Sequence, residues 1–433
     1  MRSFVAAVLV LGTASALRAQ EPRRVTLTEA LELAARAQPA MVQARQDVRR
    51  AAAQERQAMA SFLPSLTTNL STSKSGGARI NQFGVPTTVQ SYYSSSLGLS
   101  SSWEVFTGFR RGAVRRQAVA NADQADASLR LQEYAVALTT KRAYFLALAR
   151  AELVTVRQTR LRSADEQLRL TAERLRLGAT TRSDSLRARV DYGNAQLALI
   201  QAQNDLRDAQ AALGRVLQVE GEVLPVYDSV FEARVAALDT SALRRDARAA
   251  APSVRASEAA LAVARGSRGE ARAAYFPTFT LSGGYTFAAG LADVTLSPYS
   301  GAYAGGWNLR LGASLPLFNN YTRERSVINA DAGVQNAEAA LRDARLSVDV
   351  SLTQAMAALE AAAARIDIGR VSVQAAEEDL RLQRERYRLG AVTIIEVLAS
   401  QGNLDQALVD LVQARYDYLV ARAQIEAIVG HGL

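Results

Sequence analysis

The chain has 433 residues, a formal net charge of +9, no cysteine and a single histidine, His431. Without cysteine it has no disulfide, no thiolate metal site and no lipid-modified N-terminal cysteine. Since His431 falls in the predicted C-terminal tail, 430–433, histidine-based catalysis and zinc binding are nearly excluded, and we expect no metal or cofactor. Arginine is interspersed with Asp and Glu rather than gathered in a block, which favours solvated helix faces over nucleic-acid binding.

The N-terminal segment has the order of a secretory signal. Arg2 precedes an apolar run from Phe4 to Leu11, and small residues follow up to Ala19. The run is shorter than the ~20 residues that a spanning helix needs, which favours cleavage over an uncut anchor. We therefore predict a signal peptide over 1–19, a mature chain from near Gln20 and no transmembrane helix. If this chain enters a membrane, it must do so as strands.

The chain repeats itself with a period near 212 residues. FLPSL at 62–66 returns as YFPTF at 275–279, and RLRLGA at 174–179 returns as RYRLGA at 386–391. Each half therefore carries the same elements in the same order. The predicted units of the two halves are an N-terminal helix (20–61 and 242–275), a β-hairpin (62–106 and 276–318) and a long helical hairpin (107–218 and 319–429), with a linker over 219–241.

The helices of each half are of unequal length. The first are predicted over roughly 27–61 and 241–274, and the longest over 110–177 and 322–389. The latter would form rods of about 100 Å at 1.5 Å per residue, too long for a compact core. Each rod ends at a glycine, and a shorter helix returns over 183–217 or 393–429. Apolar residues exactly one heptad apart predict coiled-coil packing within each hairpin: Val154, Leu161, Leu168 and Leu175, then Ile366, Val373, Leu380 and Tyr387.

The segments between the helices alternate in polarity. Leu97, Leu99 and Trp103 would lie on one face and Ser100 and Ser102 on the other. One such strand alone fits a soluble sandwich equally well. The secretory signal, the aromatic residues near strand ends and the loops predicted over 76–90 and 288–305 favour membrane strands.

Four strands per chain cannot close a barrel. An open edge in lipid leaves backbone groups unsatisfied, so several copies must share one barrel. Two copies would give eight strands, whose interior is nearly filled by side chains, whereas three would give twelve and leave a pore.

The duplicated order of elements, with the turn sequences RLRLGATTRSDSL and RYRLGAVTIIEVL, resembles the TolC-like outer-membrane efflux protein (outer membrane factor) family over the whole predicted mature chain. The resemblance implies a mainly α-helical homotrimer with a shared twelve-stranded barrel in outer-membrane lipid and a helical tunnel in the periplasm. It implies a passive conduit of a tripartite multidrug efflux or type I secretion system. The conduit would open at its periplasmic tip when docked to a periplasmic adaptor (membrane fusion) protein and an inner-membrane RND, ABC or MFS transporter.

The resemblance also assigns candidate site residues. The adaptor would dock at the two tips, although a left-handed glycine cap ends many helices without any partner. Asp184, Glu396 and Tyr387 match a periplasmic constriction; equally, the acids fit helix starts and the tyrosine a heptad core. Ala399 and Val392 replace an acid and an arginine of the family pattern, which leaves the chemistry of the constriction open. The predicted tip residues are Leu177, Gly178, Ala179, Leu389, Gly390 and Ala391.

Two other functions fit parts of the pattern. The chain would be a secreted, non-conducting coiled-coil structural protein if its strands formed a small sandwich. It would be an enzyme, such as a cell-wall hydrolase on a helical stalk, if two carboxylates formed an acid/base pair, but no constellation distinguishes any two. We therefore favour the channel, whose cargo the sequence does not specify.

Overall fold

The computed structural model describes residues 23–80, 82–226, 240–291 and 304–432. The predicted signal peptide and parts of the predicted linker and of the second predicted loop lie outside these ranges. No helix within them is long and apolar enough to cross a membrane. The first half contains β1 (Arg23–Val25), α1 (Leu27–Ala37), α2 (Pro39–Ala60), β2 (Ser65–Ile80), β3 (Pro86–Thr107), α3 (Arg110–Arg176) and α4 (Arg182–Leu217). The second contains β4 (Val223–Pro225), α5 (Thr240–Ala250), α6 (Pro252–Ala273), β5 (Thr278–Leu291), β6 (Ala304–Ser314), α7 (Thr322–Arg388) and α8 (Ile394–Val429).

The long helices form two antiparallel hairpins, as the heptads predict. α3 packs against α4 and α7 against α8, and α3 also packs against α8. The hairpins therefore lie side by side in the order α4, α3, α8, α7, with α4 and α7 at the two edges. Heptad residues Val154, Ile366 and Leu380 are buried in this layer. The ends of α3 and α7 fall within one residue of the predicted positions.

The single helices predicted over 27–61 and 241–274 are wrong, because each is broken in two. Gln38, with ψ 131°, separates α1 from α2, and Ala251, with ψ 129°, separates α5 from α6. Each precedes a proline, whose ring disfavours the helical conformation in the residue before it. Pro39 and Pro252 themselves begin α2 and α6, where a missing N–H costs nothing.

A two-stranded parallel sheet joins the first described residues to the start of the linker. β1 pairs with β4, a strand that the sequence did not predict. Beneath it Tyr144 of α3 is buried, and its hydroxyl donates to the carbonyl of Val226 at 2.8 Å. Burying a tyrosine is favourable only when its hydroxyl finds an acceptor, so this contact holds the start of the linker against α3.

The other four strands form one antiparallel sheet in the order β2, β3, β5, β6. The first predicted loop, 76–90, is largely wrong: β2 continues to Ile80 and β3 begins at Pro86, so only a short turn remains. Cross-strand hydroxyl contacts extend the ladder towards this turn, with Ser71 and Ser96 Oγ atoms 2.7 Å apart and those of Ser73 and Ser94 2.8 Å apart. Serine-rich sequence was therefore a poor marker of a loop here.

The sheet has one apolar and one polar face, as the alternation predicts. Leu99 stands opposite Tyr285, which stands opposite Trp307 in the next strand, all on the apolar face. On the other face Ser102, Ser282 and Arg310 form an equivalent row. Trp307 is 77% exposed, so in a single chain the apolar face is uncovered.

Candidate channel entrance at the helix tips

The two long helices end in the same turn. Gly178 and Gly390 have φ of +72° and +73°, a left-handed conformation that favours glycine. The N–H of Ala179 donates to the carbonyl of Arg174 at 2.8 Å, and that of Ala391 to the carbonyl of Arg386 at 2.8 Å. This Schellman pattern pairs the carbonyls of Arg174 and Arg386, which are among the last of each helix. The six predicted tip residues therefore lie at two equivalent turns, while their docking role stays a prediction.

Leucine projects into solvent at both tips. Leu177 is 73% exposed and Leu389 is 83% exposed. Each sits immediately before its glycine, so the repeat presents the same apolar side chain twice at one end of the helical layer. Exposed single leucines are common on proteins, but a repeated one on a tight turn is a candidate contact point.

The two predicted constriction acids occupy the same local position. Asp184 and Glu396 are each the third residue of a returning helix, where they complete capping boxes with Thr181 and Thr393. The N–H of Asp184 donates to Thr181 Oγ1 at 3.2 Å, and the N–H of Thr393 donates to Glu396 Oε1 at 3.4 Å. The helix-start interpretation of these acids therefore has direct geometric support; their place in a pore stays a prediction.

The carboxyl of Asp184 is held in its charged form. Its partial burial alone would raise the pKa, but hydrogen bonds from Thr181 and Thr180 and the charge of Arg187 lower the pKa of Asp184 below its ordinary value of 3.8. Thr180 Oγ1 donates to Asp184 Oδ2 at 2.9 Å. The acid is thus an anion at neutral pH.

Tyr387 lies in a contact between the two tips that the sequence did not reveal. The guanidinium of Arg174 lies 4.8 Å from the centre of the Tyr387 ring. It also donates to the backbone carbonyls of Tyr387, at 2.9 Å, and of Arg388, at 2.8 Å. Arg174 of α3 therefore caps the end of α7, whose last carbonyls lack partners within their own helix. The only available signal was the repeated arginine of the two turn sequences.

Tyr387 also fits the heptad interpretation. Its side chain is 8% exposed and packs in a small apolar cluster with Leu380, Ile394 and Val397. Its hydroxyl is buried, and within the described ranges it has no hydrogen-bond partner. Val392, at the position of the family's arginine, packs against this cluster. Ala399 is exposed on α8.

A groove of about 460 Å³ runs beside this cluster between the two hairpins. Charged residues of both hairpins line it, including Glu166 and Arg384. Burial lowers the pKa of Arg384, while the charge of Glu166 raises it. In the described ranges no group of three or more His, Cys, Asp or Glu side chains is arranged to hold a metal ion.

The apolar sheet face, the paired long hairpins and the repeated tips together define the class of a duplicated outer membrane factor. A family model described as "Outer membrane efflux protein" matches residues 30–217 and 243–431. The chain belongs to this family.

Individual relatives and solved structures are consistent with this family. The cation efflux system protein CusC of Escherichia coli is 31% identical over 180 residues, which cover 38% of this chain and 36% of CusC. The matched region therefore spans about a third of the curated relatives. Two solved structures match far more of the chain at the level of fold. The Campylobacter jejuni CmeC outer membrane channel has a TM-score of 0.79, 19% identity, and coverage of 94% of this chain and 86% of that one. The open state of the Neisseria gonorrhoeae MtrE outer membrane channel has a TM-score of 0.76, 23% identity, and coverage of 94% and 89%.

Family membership confirms the resemblance, the mainly helical fold with few strands and the outer-membrane location. It also confirms that the chain is not an enzyme, since the family consists of efflux channels, so the hydrolase alternative is wrong. It argues equally against a non-conducting structural protein.

Replacing Asp184 with alanine should destabilise the first turn of α4 by about 0.5–1 kcal/mol, the usual size of an exposed helix-start interaction. Because the native pKa lies below 3.8, this stabilisation is present above the ordinary pKa and is lost as pH falls through the native pKa. Hydrogen exchange of the α4 amides, corrected for intrinsic rates, measures it at neutral and at acidic pH.

The matched control is Glu173→Ala, which removes an exposed acid paired with Arg176 on α3. It should leave the α4 amides unchanged. An effect of Asp184→Ala that is equal at both pH values would contradict a role for the ionised carboxylate.

Proposed function

We propose that three copies of this chain close into a ring that serves as a passive export conduit across the outer membrane and the periplasm. The observation that carries the proposal concerns the two free edges of the sheet and the two free edges of the helical layer in a single chain. At each of these edges, the missing neighbour is an element whose equivalent in the other repeat already makes that contact inside the chain. A second copy can therefore repeat that contact.

The sheet illustrates the argument. Inside one chain β3, the last strand of the first repeat, pairs with β5, the first strand of the second. The same relation one repeat later would pair β6 with β2 of the next copy. Backbone groups left open along these edges cost several kcal/mol each in lipid, so closure is strongly favoured. Three copies give twelve strands, enough to leave a water-filled pore lined by the polar face.

The helices have matching edges. Leu197 on α4 is 61% exposed, whereas Val409, which occupies the equivalent position on α8, is partly buried. Val350 on α7 is 56% exposed, whereas its equivalent on α3, Leu138, is partly buried. The two edges thus expose apolar positions that are covered in the other repeat. α7 of one copy and α4 of the next would cover each other.

The protein purified in detergent should contain three copies by native mass spectrometry and should conduct ions in planar lipid bilayers. Both results follow from the need to close the sheet. A stable, water-soluble monomer with its sheet intact would defeat the proposal.

We place Asp184 and Glu396 at a periplasmic constriction of this conduit. Two acids per copy would form a ring of negative charge that attracts cations, because charges lining a narrow pore set its selectivity. Their common position in the two repeats supports the ring, since equivalent residues of the two tips would lie at the same depth.

Joint replacement of Asp184 and Glu396 by alanine should reduce the permeability ratio of cations to anions by about two- to fivefold, as for the loss of partly screened charges. Reversal potentials across bilayers in a salt gradient measure this ratio. Joint replacement of Glu32 and Asp47, which pair locally with Arg36 and Arg50 on α1 and α2, removes the same charge and should not change it. Unchanged selectivity in the first variant would remove the two acids from the pore.

We also propose that a periplasmic adaptor docks at the tips and links the conduit to an inner-membrane RND, ABC or MFS transporter. Support comes from the exposed Leu177 and Leu389 on identical turns. The arrangement suits both drug efflux and type I secretion. Besides Arg310, the polar face carries mainly serine, threonine and asparagine, which offer no specific binding site, so the choice of cargo would rest with the adaptor and the transporter.

Substituting Leu177 and Leu389 by aspartate should weaken binding of the cognate adaptor at least tenfold, because an apolar contact is replaced by a charge. Surface plasmon resonance on the detergent-purified channel measures the affinity. Val42→Asp, at an exposed apolar position of α2, is the control. Undiminished binding by the tip variant, with trimer and conductance intact, would place the docking surface elsewhere.

A further inference from the structure

The two hairpins of one chain are joined by ion pairs. We call the contact between α3 and α8 the internal seam. Arg157 pairs with Asp405 across it, and Glu152 pairs with Arg415 at 2.9 Å. These four side chains are 25% exposed or less. Burial raises the pKa of Glu152, although the charge of Arg415 opposes the shift. The internal seam is therefore a charged and partly dry contact.

The repeat predicts which residues meet between copies. An offset of 212 residues maps α3 onto α7 and α8 onto α4, so the internal seam is the template for a contact between α7 of one copy and α4 of the next. We call this second contact the external seam. Arg157 maps onto Gly369, and Asp405 maps onto Gly193. Both partners of a salt bridge are thus replaced by the smallest residue.

The neighbouring ion pair, Glu152 with Arg415, also has no counterpart at the external seam. Glu152 maps onto Ala364 and Arg415 onto Gln203. The external seam therefore has neither of these ion pairs, and at both levels its residues on α7 are small. The repeats have kept their helices and changed the chemistry between them.

Both glycines lie inside long helices and beside exposed aliphatic residues. A Cβ built on Gly193 would meet nothing within 4 Å, so the single chain gives no steric reason for a glycine there. Glycine weakens a helix relative to alanine, and its presence in a helix interior calls for a packing or functional reason. Val190 and Leu197, one turn to either side of Gly193, are 64% and 61% exposed. This row has the spacing of a coiled-coil stripe.

Gly369 has a corresponding setting on α7. Ile368 and Val371 beside it are each 66% exposed. Leu411 of α8 lies 3.3 Å from where a Cβ of Gly369 would stand, so α8 already approaches this point from one side. Gly369 therefore adds no side chain to the surface of α7 between the exposed Ile368 and Val371.

We propose that Gly193 of one copy packs directly against Gly369 of the next copy, so that apolar close packing replaces the Arg157–Asp405 ion pair at the external seam. The occupant of the α4 stripe is thus the α7 edge of a second copy of this chain. Helix axes approach more closely where the contact residues are small, and the flanking aliphatic residues then interlock. The inference rests on the proposed ring and specifies its register.

Disulfide trapping tests the contact directly. The chain has no cysteine, so any disulfide must come from introduced residues. Joint Gly193→Cys and Gly369→Cys substitution followed by mild oxidation should give linked dimers and trimers on non-reducing gels. A disulfide requires Cα atoms about 4.4–6.8 Å apart, so it reports close contact rather than general proximity.

The matched control combines Gly193→Cys with Gly333→Cys. Gly333 is also an open position in α7, but it lies about 54 Å further along the helix, so no link should form. A disulfide within one chain, or no disulfide in a variant that is trimeric and conducts, would overturn the proposed contact. Neither result would contradict the proposed conduit. A wild-type protein that is not a trimer would overturn both.

Alanine substitution tests the packing independently. In an isolated helix alanine stabilises relative to glycine. In a close contact, however, an added methyl group forces the helices apart. A methyl group added at Gly193 meets nothing inside the single chain. The Gly193→Ala variant should therefore dissociate in warm detergent about tenfold faster than wild type. Gly333→Ala should dissociate no faster. A Gly193→Ala variant as long-lived as wild type would refute close packing at this point.

Discussion

The structure depends on one constraint: the free edges of the sheet and of the helical layer must pair with other edges. A sheet that faces lipid cannot leave strand backbone groups open, because a few such groups cost as much as the 5–15 kcal/mol that typically stabilises a whole domain. The four-stranded sheet of this chain has two free edges in the described ranges, and the helical layer has two matching ones at α4 and α7. Duplication offers a solution, since the order of elements that joins the two repeats inside a chain would serve again between chains.

The internal seam and the proposed external seam would form at different stages of assembly. The internal seam forms while a chain folds, when its partners are held at high effective concentration, so the desolvation of Glu152 and Arg157 is more easily offset. The proposed external seam would form between separate molecules, where aliphatic residues such as Leu197 and Ile368 would supply a driving force that needs no exact charge geometry. The consequence is that an unassembled subunit exposes apolar stripes on both edges and is prone to aggregate.

Much of this fold can be predicted from short-range patterns in the sequence. Gly178 and Gly390 ended the long helices at the predicted places because a left-handed turn strongly favours glycine, and the alternation around Trp103 correctly assigned the faces of the sheet. Prediction failed where a local signal was misjudged, as with the break before Pro39, or where no local signal existed. The pairing of β1 with β4 joins segments about 200 residues apart. The cap that Arg174 provides for α7 depends on which helix the layer places beside it.

The tip acids show how one residue can satisfy both interpretations that the sequence left open. The capping box fixes Asp184 through Oδ2, which faces Thr180 and Thr181, while Oδ1 lies 3.9 Å from the half-exposed guanidinium of Arg187. A carboxylate oriented in this way is pre-positioned, and the positive end of its own helix offsets the repulsion from like charges in a ring. Glu396 is held by the same motif at the equivalent position of the second repeat. Capping is therefore the physical means by which the proposed constriction would keep Asp184 charged and hold both acids at one level.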